Sequence, residues 1–490
     1  MVRIEWPLHV VLRVAGAVVA LAVLVALGTW GYSWWRESQD RCGEGVVKLQ
    51  PTGECVGVTD GAYHFAGFEA VEERIAKENA KIADVPHVSV AYLASFTATE
   101  KDSNSADSLR HELEGAYLAQ YRYNEGDRKG SPKIRLLLAN TGSLSLFWRH
   151  TVDQLLARKN AEKIVAVAGL GPSNDENKAA QKALARGGLA TVASIMTATD
   201  IGGERFARVA PTNADEARAG AAYLRGEAKT PSALLIQDAA KGDHYARTLG
   251  DAFEKDYRDH MAAPRLTYDS SVENIWQNEL NIMAGQLCGY ADLDVVYFAG
   301  RGRHLTSFLD ALGNRSCQDR SFTVMTGDDI TNITPAELSR TPHEGLTVLY
   351  TGLAHPDMYH KNPHAVAAPS ARNFLPGGYL SKWFPSDPLD DGQAIMGHDA
   401  VLTVAQGITL AVGSGAKDID GPSVGRMFQQ MRGSGQVPGG SGFLSFMENG
   451  NPYNKSIPLL RVKDNGHSQL VTVTAPDGKP NADGSPAERR

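Results

Sequence analysis

Short apolar segments alternate with amphipathic helical segments along most of this chain, in two separate series divided near Pro211. Segments such as 234–236 and 295–298 are apolar without interruption, which is typical of parallel strands covered on both faces. Strand–helix alternation at this spacing produces βαβ units and doubly wound sheets. The sequence therefore predicts an α/β protein with two parallel-sheet lobes. The strands are predicted at 87–93, 133–139, 163–168, 189–194, 232–237, 265–268, 294–298 and 322–325.

Charge and motifs argue against several classes of function. The chain has 49 Lys+Arg and 56 Asp+Glu, a formal net charge of −7, so it has no general basic surface for nucleic acid. It contains no Gly-x-Ser-x-Gly elbow, no phosphate-binding P-loop and no His-Glu-x-x-His helix. The histidines at 355, 360 and 364 are not spaced like zinc ligands. We therefore expect a protein that is not an enzyme, with no metal, no cofactor and no nucleic-acid partner.

The N-terminus carries a candidate membrane anchor. Residues 14–35 contain no ionisable side chain except the phenol of Tyr32, and as a helix they would extend roughly 33 Å, enough to cross a bilayer. The aromatic residues at one end suit the headgroup region; they are Trp30, Tyr32, Trp34 and Trp35. A cleaved secretion signal remains an alternative, because Arg3 and Arg13 precede the apolar stretch and residues 26–28 fit a cleavage rule.

Four cysteines allow three disulfide pairings. The pairing that is local in sequence joins Cys42 to Cys55 and Cys288 to Cys317. The second pair is also favoured by topology, since the helices before and after the strand at 294–298 end at the same edge of the sheet. Four unpaired thiols are the alternative. Paired cysteines would place the body of the chain outside the cytoplasm, on a single-pass protein of the cell membrane.

Five segments, in this order, resemble the type I periplasmic-binding-protein family, specifically its leucine/isoleucine/valine-binding branch. They are 169–224 (beginning GLGPSNDENKAAQ), 294–312 (DVVYFAGRGRHLTSFLDAL), 325–330 (MTGDDI), 343–350 (HEGLTVLY) and 397–408 (GHDAVLTVAQGI). The resemblance covers roughly residues 86–465. It implies two α/β lobes that are joined by three crossovers and close on a small ligand by a hinge motion.

The crossovers are expected near Pro211, near residues 344–350 and before a final hairpin, in which 443–446 would pair with 457–462 around the Asn449-Gly450 turn. The expected organisation is a tail (1–13), a transmembrane helix or uncleaved signal anchor (14–35), a stalk with the Cys42/Cys55 loop (36–85), an N-terminal lobe (86–211 with 351–438), a C-terminal lobe (212–350 with 439–474) and a disordered tail (475–490).

In the first lobe, the resemblance places ligand-binding hydroxyls after two strands. Ser173 stands at the family's first hydroxyl position, at a helix N-terminus suited to a carboxylate; its alternative role is a helix N-cap in a box with Glu176. The family's Ser-x-x-x-Thr motif begins here at Ser194 but has Ala198 at the threonine position. Contact would then fall to the neighbouring hydroxyls, with turn capping as their alternative role; these are Thr197 and Thr199.

In the second lobe, the resemblance is looser. Lys241 stands where the family has an aromatic residue, and Arg301 replaces a second aromatic residue. Asp329, with Asp328 adjacent, is expected to pair with a ligand ammonium. Exchanging two rings for cations predicts a ligand more anionic than leucine. The alternative is that these cations are solvated loop residues.

The sequence therefore predicts an extracytoplasmic solute-binding protein that closes on an amino-acid-like or anionic metabolite and serves an ABC-type importer. The alternative is a membrane-anchored sensor or scaffold without a transport role, which would need a membrane signalling partner.

Overall fold

The computed structural model describes Pro7, Val10 and residues 12–13, 15–26, 40–126, 130–342 and 344–483. An apolar helix, α1 (Ala15–Ala26), precedes the two lobes. The first lobe contains helices α2 (Glu69–Lys81), α3 (Ala106–Glu125), α4 (Trp148–Arg158) and α5 (Asp175–Arg186). Its strands are β1 (Arg41–Gly43), β2 (Val46–Leu49), β3 (Glu54–Thr59), β4 (His87–Ala94), β5 (Lys133–Asn140), β6 (Ile164–Gly169), β7 (Ala190–Ala193) and β8 (Phe206–Arg208). They form one sheet in the order β1-β2-β3-β5-β4-β6-β7-β8.

The second lobe contains α6 (Asn213–Arg225), α7 (His244–Asp256), α8 (Trp276–Leu287), α9 (Gly302–Gly313) and α10 (Pro335–Leu338). Its strands are β9 (Ala233–Asp238), β10 (Leu266–Tyr268), β11 (Val295–Ala299), β12 (Phe322–Thr326) and β13 (Leu346–Thr351). The chain then forms α11 (Met358–Lys361), α12 (Ala368–Ala371), α13 (Tyr379–Trp383), α14 (Gln393–Gly413), α15 (Gly421–Met427), β14 (Val437–Pro438), β15 (Phe443–Leu444), β16 (Ile457–Val462) and β17 (Ser468–Thr474).

The predicted fold class is confirmed. The second sheet has the order β10-β9-β11-β12-β13-β16-β17. In each lobe the central strands are parallel, and antiparallel strands are added at an edge. All eight predicted strands occur within two residues of their predicted ends; β8, which follows β7, was not predicted. Helices cover both faces of each sheet, so nearly every side chain of β6, β9 and β11 is buried. These strands are therefore apolar without interruption, which is why the apolar runs predicted them correctly.

Helix α14 is the one described helix long and apolar enough to cross a membrane, but 72% of its apolar window is buried inside the protein. It packs against α3 through two glycines. A Cβ atom on Gly115 would lie 1.8 Å from the Ala394 carbonyl oxygen, and one on Gly397 would lie 1.9 Å from that of Glu112. The two backbones are in contact where these glycines lie, so α14 is a core helix that returns the chain to the first lobe.

The segment predicted to be a stalk, 36–85, instead belongs to the first lobe wherever the structure describes it. Strand β3 pairs antiparallel with β5 and extends the sheet. Val56 and Val58 on β3 and Phe65, Phe68 and Ile75 around α2 are all buried. Burial of this apolar surface makes the segment an edge of the lobe rather than a tether.

Three further details differ from expectation. The last hairpin joins β16 to β17, whereas β15 pairs with β14; the Asn449-Gly450 turn closes only the isolated bridge between Phe446 and Pro452. The second crossover follows Thr351, because β13 is a strand of the second sheet. Residues 475–483 are not a disordered tail: the Asn481 amide donates to the Tyr453 carbonyl oxygen. Residues 484–490 lie outside the described residues.

The described part of the predicted span at 14–35 is the apolar helix α1, which is shorter than a membrane-spanning helix. Its large apolar side chains are exposed; they include Val18, Leu21 and Leu24. The aromatic end of the predicted anchor lies outside the described residues.

Both predicted disulfides are confirmed. Cys42 is bonded to Cys55 with a Cα–Cα distance of 6.0 Å, and Cys288 to Cys317 with a Cα–Cα distance of 5.7 Å. The first joins β1 to β3 at the sheet edge. The second joins the C-terminal end of α8 to the loop after α9, as the topology of the two helices predicted.

Replacing Cys288 and Cys317 together by serine is expected to lower the free energy of unfolding by about 2–4 kcal/mol, because the bridge restricts the unfolded chain over 29 residues. Urea denaturation under oxidising conditions measures the loss. The Cys42→Ser/Cys55→Ser variant, which opens a loop of 13 residues, is the comparison and should lose less. Equal stability of the wild type and the Cys288/Cys317 variant would contradict the prediction.

Candidate functional site

The carboxyl ends of the parallel strands in both lobes face each other across a cleft. In α/β sheets this edge is where loops and helix N-termini converge on ligands. A cavity of about 310 Å³ lies there, within the size range of small-molecule sites. Residues of both lobes line it: Ser95, Lys101, Asp102, Ser103, Leu144, Ser145, Pro172, Asn174, Asp175, Glu176, Lys241, Gly242, Asp243, Ser270, Arg301, Arg303 and His304.

Arg301 joins the two lobes beside this cavity. Its guanidinium group binds Asp243 bidentately, with Nε to Oδ2 at 2.7 Å and Nη2 to Oδ1 at 2.8 Å. Nη1 donates to Asp329 Oδ1 at 3.0 Å. Across the cleft, Nη2 donates to the Ser173 carbonyl oxygen at 3.1 Å and Nη1 to Ser103 Oγ at 3.3 Å. The side chain therefore satisfies two carboxylates of its own lobe and two oxygens of the other.

Arg301 is only 7% exposed, and its guanidinium carbon lies 4.8 Å from the centre of the Tyr245 ring. Burial opposes its charge, but Asp243 and Asp329 outweigh that cost and raise the pKa of Arg301 above its usual value. Because two carboxylates already bind the guanidinium of Arg301, this group is not free to bind an anionic ligand. Arg301 is thus ion-paired within its own lobe and hydrogen-bonded to the other, and it is not the open anion receptor that the sequence predicted.

Arg301→Met is expected to lower the free energy of unfolding by about 3–5 kcal/mol, because Asp243 and Asp329 would remain buried without their partner. Small-angle scattering should also show a larger radius of gyration as the lobes separate. Arg340→Met, which removes an exposed arginine, is the control and should change stability by less than about 0.5 kcal/mol. Equal losses in the two variants would contradict the assignment.

A second group of polar side chains holds the lobes together beside Arg301. His244, at the start of α7, lies 2.7 Å from Asp200 through Nδ1 and 2.9 Å from Asp175 through Nε2. Arg247 also donates to Asp200, at 2.8 Å. Asp175 and Asp200 belong to the first lobe, whereas His244 and Arg247 belong to the second. These contacts are partly exposed, so each contributes little by itself; together they fix the approach of α5 to α7.

The hydroxyls predicted in the first lobe do not line the cavity. Ser173 Oγ accepts from the Ala198 amide at 3.0 Å, and the N-cap of α5 is Asn174 and not Ser173. Ser194 Oγ donates to Glu112 at 2.6 Å inside the lobe. Thr197 is buried. The Thr199 side chain is exposed, and its amide donates to Thr248 Oγ1 across the lobes at 3.4 Å.

The residues predicted in the second lobe have three different environments. Lys241 is exposed and lines the cavity. Asp329 accepts from Arg301 and, through Oδ2, from the Gly302 amide at 2.6 Å, so its carboxylate is already bound. Asp328 is buried behind Asp329, within hydrogen-bonding reach of Glu216. Burial, and then the charge of Asp328, raise the pKa of Glu216 well above its usual value.

Asp328 makes the protein sensitive to pH. Burial, and then the charge of Asp329, raise the pKa of Asp328 to about 8. The folded chain therefore keeps a proton that the unfolded chain releases above about pH 4, so the stability that Asp328 contributes is fully present below about pH 4 and is lost as the pH rises through about 8.

Asp328→Asn is expected to reduce this fall by up to about 1.4 kcal/mol per pH unit, the effect of one proton. Urea denaturation between pH 5 and pH 8 measures the slope. Asp319→Asn, which changes an exposed carboxylate, should keep the slope of the wild type. A slope that is the same in all three proteins would contradict the buried, protonated state.

A second cavity of about 240 Å³ lies between the lobes, along the start of α3 and residues 330–335. Its carboxylates already have partners: Asp391 lies 2.5 Å from His111, Asp387 lies 3.3 Å from Arg110, and Asp390 lies 2.7 Å from His467. The cavity at the strand ends, beside Arg301, is therefore the stronger candidate of the two for a ligand site.

Sequence reasoning missed three residues of the cleft: Ser103, Asp243 and Tyr245. The rule that located the other loops, the carboxyl end of a parallel strand, also applies to the loop after β4, which carries Ser103. Asp243 follows Lys241-Gly242 and is the N-cap of α7. Only the fold shows that Asp243 and Tyr245 surround Arg301.

Comparison with known proteins shows what fold this is. No family model matches the sequence, and no curated protein does. Among solved structures, a leucine-binding protein from Thermotoga maritima aligns over 80% of this chain and 99% of its own, with a TM-score of 0.61 and 18% identity. A branched-chain amino acid transporter substrate-binding protein from Streptococcus pneumoniae, in complex with isoleucine, aligns over 79% and 99%, with a TM-score of 0.58 and 17% identity.

A solute-binding protein of an ABC transporter from Rhodopseudomonas palustris, in complex with 3,4-dihydroxybenzoic acid, aligns over 79% of this chain and 97% of its own, with a TM-score of 0.57 and 15% identity. These similarities confirm the predicted resemblance at the level of architecture. The chain has the fold of the type I periplasmic binding proteins, of which the leucine and branched-chain amino acid binding proteins are the structural neighbours.

Proposed function

We propose that this protein is a solute-binding protein whose two lobes hold a small polar ligand between them. The observation that carries the proposal is the cavity of about 310 Å³ at the strand ends of both sheets, lined by side chains from both lobes. A ligand that contacts both lobes stabilises the closed arrangement because it binds that arrangement more tightly than the open one. The function is binding without catalysis.

The structural neighbours support the kind of ligand. One neighbour is in complex with isoleucine and another with 3,4-dihydroxybenzoic acid, and both are described as transporter components. The fold therefore accommodates small carboxylic acids with and without an amino group. By extension from these neighbours, the partner of this chain is an ABC-type importer.

The proposed location is the outer face of the cell membrane. Two disulfides support an oxidising compartment, because such bonds are rare in the cytosol. The exposed apolar helix α1 precedes the body of the chain, which supports attachment by a single N-terminal span. The body would then be extracytoplasmic, with residues 1–13 on the other side of the membrane.

One observation favours a second function, that of a membrane-anchored sensor or scaffold without a transport role. The lobes bind each other directly, through Arg301 to Ser173 and Ser103 and through His244 to Asp175. Such contacts stabilise the closed arrangement from within the protein. Co-purification with a permease would favour the importer; co-purification with a membrane kinase would favour the sensor.

Native mass spectrometry of the full chain in detergent is expected to reveal a bound small molecule, and adding that molecule back should raise the melting temperature, because it binds only the folded state. Glu176→Trp, which fills the cavity from an exposed position on α5, should abolish the rise. Lys182→Trp, at an exposed position further along the same helix, should leave it intact. A rise that persists in Glu176→Trp would place the ligand elsewhere.

A further inference from the structure

A pocket of about 420 Å³ lies on the first lobe, away from the cleft. It borders the last turn of α3, whereas α3 begins beside the cleft, shortly after Ser103. Since a helix rises about 1.5 Å per residue, Arg122 in that last turn lies about 24 Å along α3 from Ala106. The pocket is therefore separate from the cavity at the strand ends.

Three cationic side chains that are far apart in sequence line this pocket. They belong to the end of α3, to the residue that follows α12 and to α13; they are Arg122, Arg372 and Lys382. All three are exposed to solvent, and none of them forms an ion pair with a residue that the structure describes. No carboxylate is found among the described residues of the pocket wall. The charged groups of the wall are thus all positive.

Aromatic packing brings α13 and its lysine to the end of α3. The Tyr121 ring on α3 lies 5.7 Å from the Tyr379 ring and 5.0 Å from the Trp383 ring, measured between ring centres. The guanidinium carbon of Arg122 lies 5.3 Å from the centre of the Tyr379 ring. Lys382 follows Tyr379 by three residues and so lies on the same side of α13.

A backbone hydrogen bond holds Arg372 beside α13. The Leu380 amide donates to the Asn373 carbonyl oxygen at 3.3 Å, so the segment after α12 folds back onto the start of α13. Arg372 Nε donates to the Ala368 carbonyl oxygen at 3.3 Å, and its two Nη atoms donate to no described residue. The guanidinium group therefore keeps free donors at the pocket.

The cations of the pocket lack a counter-charge within the described part of the chain. Arg122 Nη1 donates to the Tyr379 hydroxyl at 3.4 Å, and this acceptor is neutral. Glu125, three residues after Arg122, is already paired with Lys81. Like charges that are held together repel one another, even though the chain as a whole has a formal net charge of −7. A bound anion would remove this repulsion.

The exposure of the three cations restricts the kind of anion. A single contact to a solvated cation contributes little to binding, so a ligand must contact all three cations at once. A carboxylate has two oxygens, whereas a terminal phosphate group offers three and carries more charge at neutral pH. Arginine binds phosphate bidentately, and lysine supports it as a point charge. These features favour a phosphate group.

We infer that this pocket is a second binding site, which takes a phosphate group and is independent of the ligand in the cleft. Arg122 and Arg372 bind the phosphate oxygens, and Lys382 supplies further positive charge. The Tyr379 ring positions Arg122. A soluble phosphorylated compound and the headgroup of an anionic lipid present the same charged oxygens, so the experiment distinguishes these two sources.

Isothermal titration of the full chain in a non-ionic detergent tests the site with pyrophosphate, at low ionic strength where exposed charges are least screened. Arg122→Gln combined with Arg372→Gln is expected to weaken pyrophosphate binding at least about 10-fold, because two charge-assisted contacts are lost. The control is Lys182→Gln combined with Arg186→Gln. Arg186 is an exposed arginine in the last turn of α5, as Arg122 is in α3, so this variant should bind like the wild type.

A second variant separates binding from folding. Lys382 is exposed and makes no hydrogen bond to a described residue, so Lys382→Glu should weaken pyrophosphate binding while its melting temperature stays that of the wild type. Tricarballylate, a tricarboxylate of similar charge, should bind several-fold less tightly than pyrophosphate. Equal affinity for the two compounds would rule out a phosphate site. Absence of pyrophosphate binding in the wild type, or equal losses in the two double variants, would overturn the inference.

Native mass spectrometry of protein released from nanodiscs that contain phosphatidylglycerol then identifies the source of the phosphate. If the wild type retains more phosphatidylglycerol than the Arg122→Gln/Arg372→Gln variant, the site takes a lipid headgroup. Equal retention, together with the loss of pyrophosphate binding in that variant, assigns the site to a soluble phosphorylated compound.

Discussion

The guanidinium of Arg301 is the interaction on which the arrangement of the cleft depends. It is buried between the lobes, and a buried charge is tolerated only when it is paired and hydrogen-bonded. Asp243 and Asp329 supply the pairing, and the Ser173 carbonyl oxygen and Ser103 hydroxyl supply the remaining acceptors from the opposite lobe. The buried charge of Arg301 is therefore fully hydrogen-bonded only when the opposite lobe is close enough to supply these two oxygens.

The crossover segments behind the cleft are tied together by a second buried cation. The Lys455 ammonium donates to the carbonyl oxygens of Leu353, Ser441 and Ser456, at 3.0–3.2 Å. Burial lowers the pKa of Lys455 to about 8. Since these carbonyls lie on the segments that connect the lobes, Lys455 holds the connecting segments together, while Arg301 joins the lobes beside the cavity.

The fold and parts of the site differed in how far they could be predicted. Apolar runs such as β9 and β11 are local signals, and pairing of Cys288 with Cys317 follows from where two helices end. The loops at the strand ends were likewise located from strand order. The roles of the charged residues were not predictable, because the local sequence around a loop arginine does not show whether its side chain contacts a ligand, water or two carboxylates. Arg301 was placed correctly at the cleft, but its partner Asp243 was not identified.

The sequence by itself predicted two α/β lobes, an apolar N-terminal segment, the sequence-local pairing of the four cysteines and the loops that face the cleft, because each depends on periodicity, length or order along the chain. Only the tertiary structure decided that residues 40–85 complete the first sheet, that Asp328 is a buried acid, and that Arg301 is bound by the protein itself. These outcomes depend on which charges meet in space across a large sequence separation. Burial then sets their energies, and burial is a property of the folded chain.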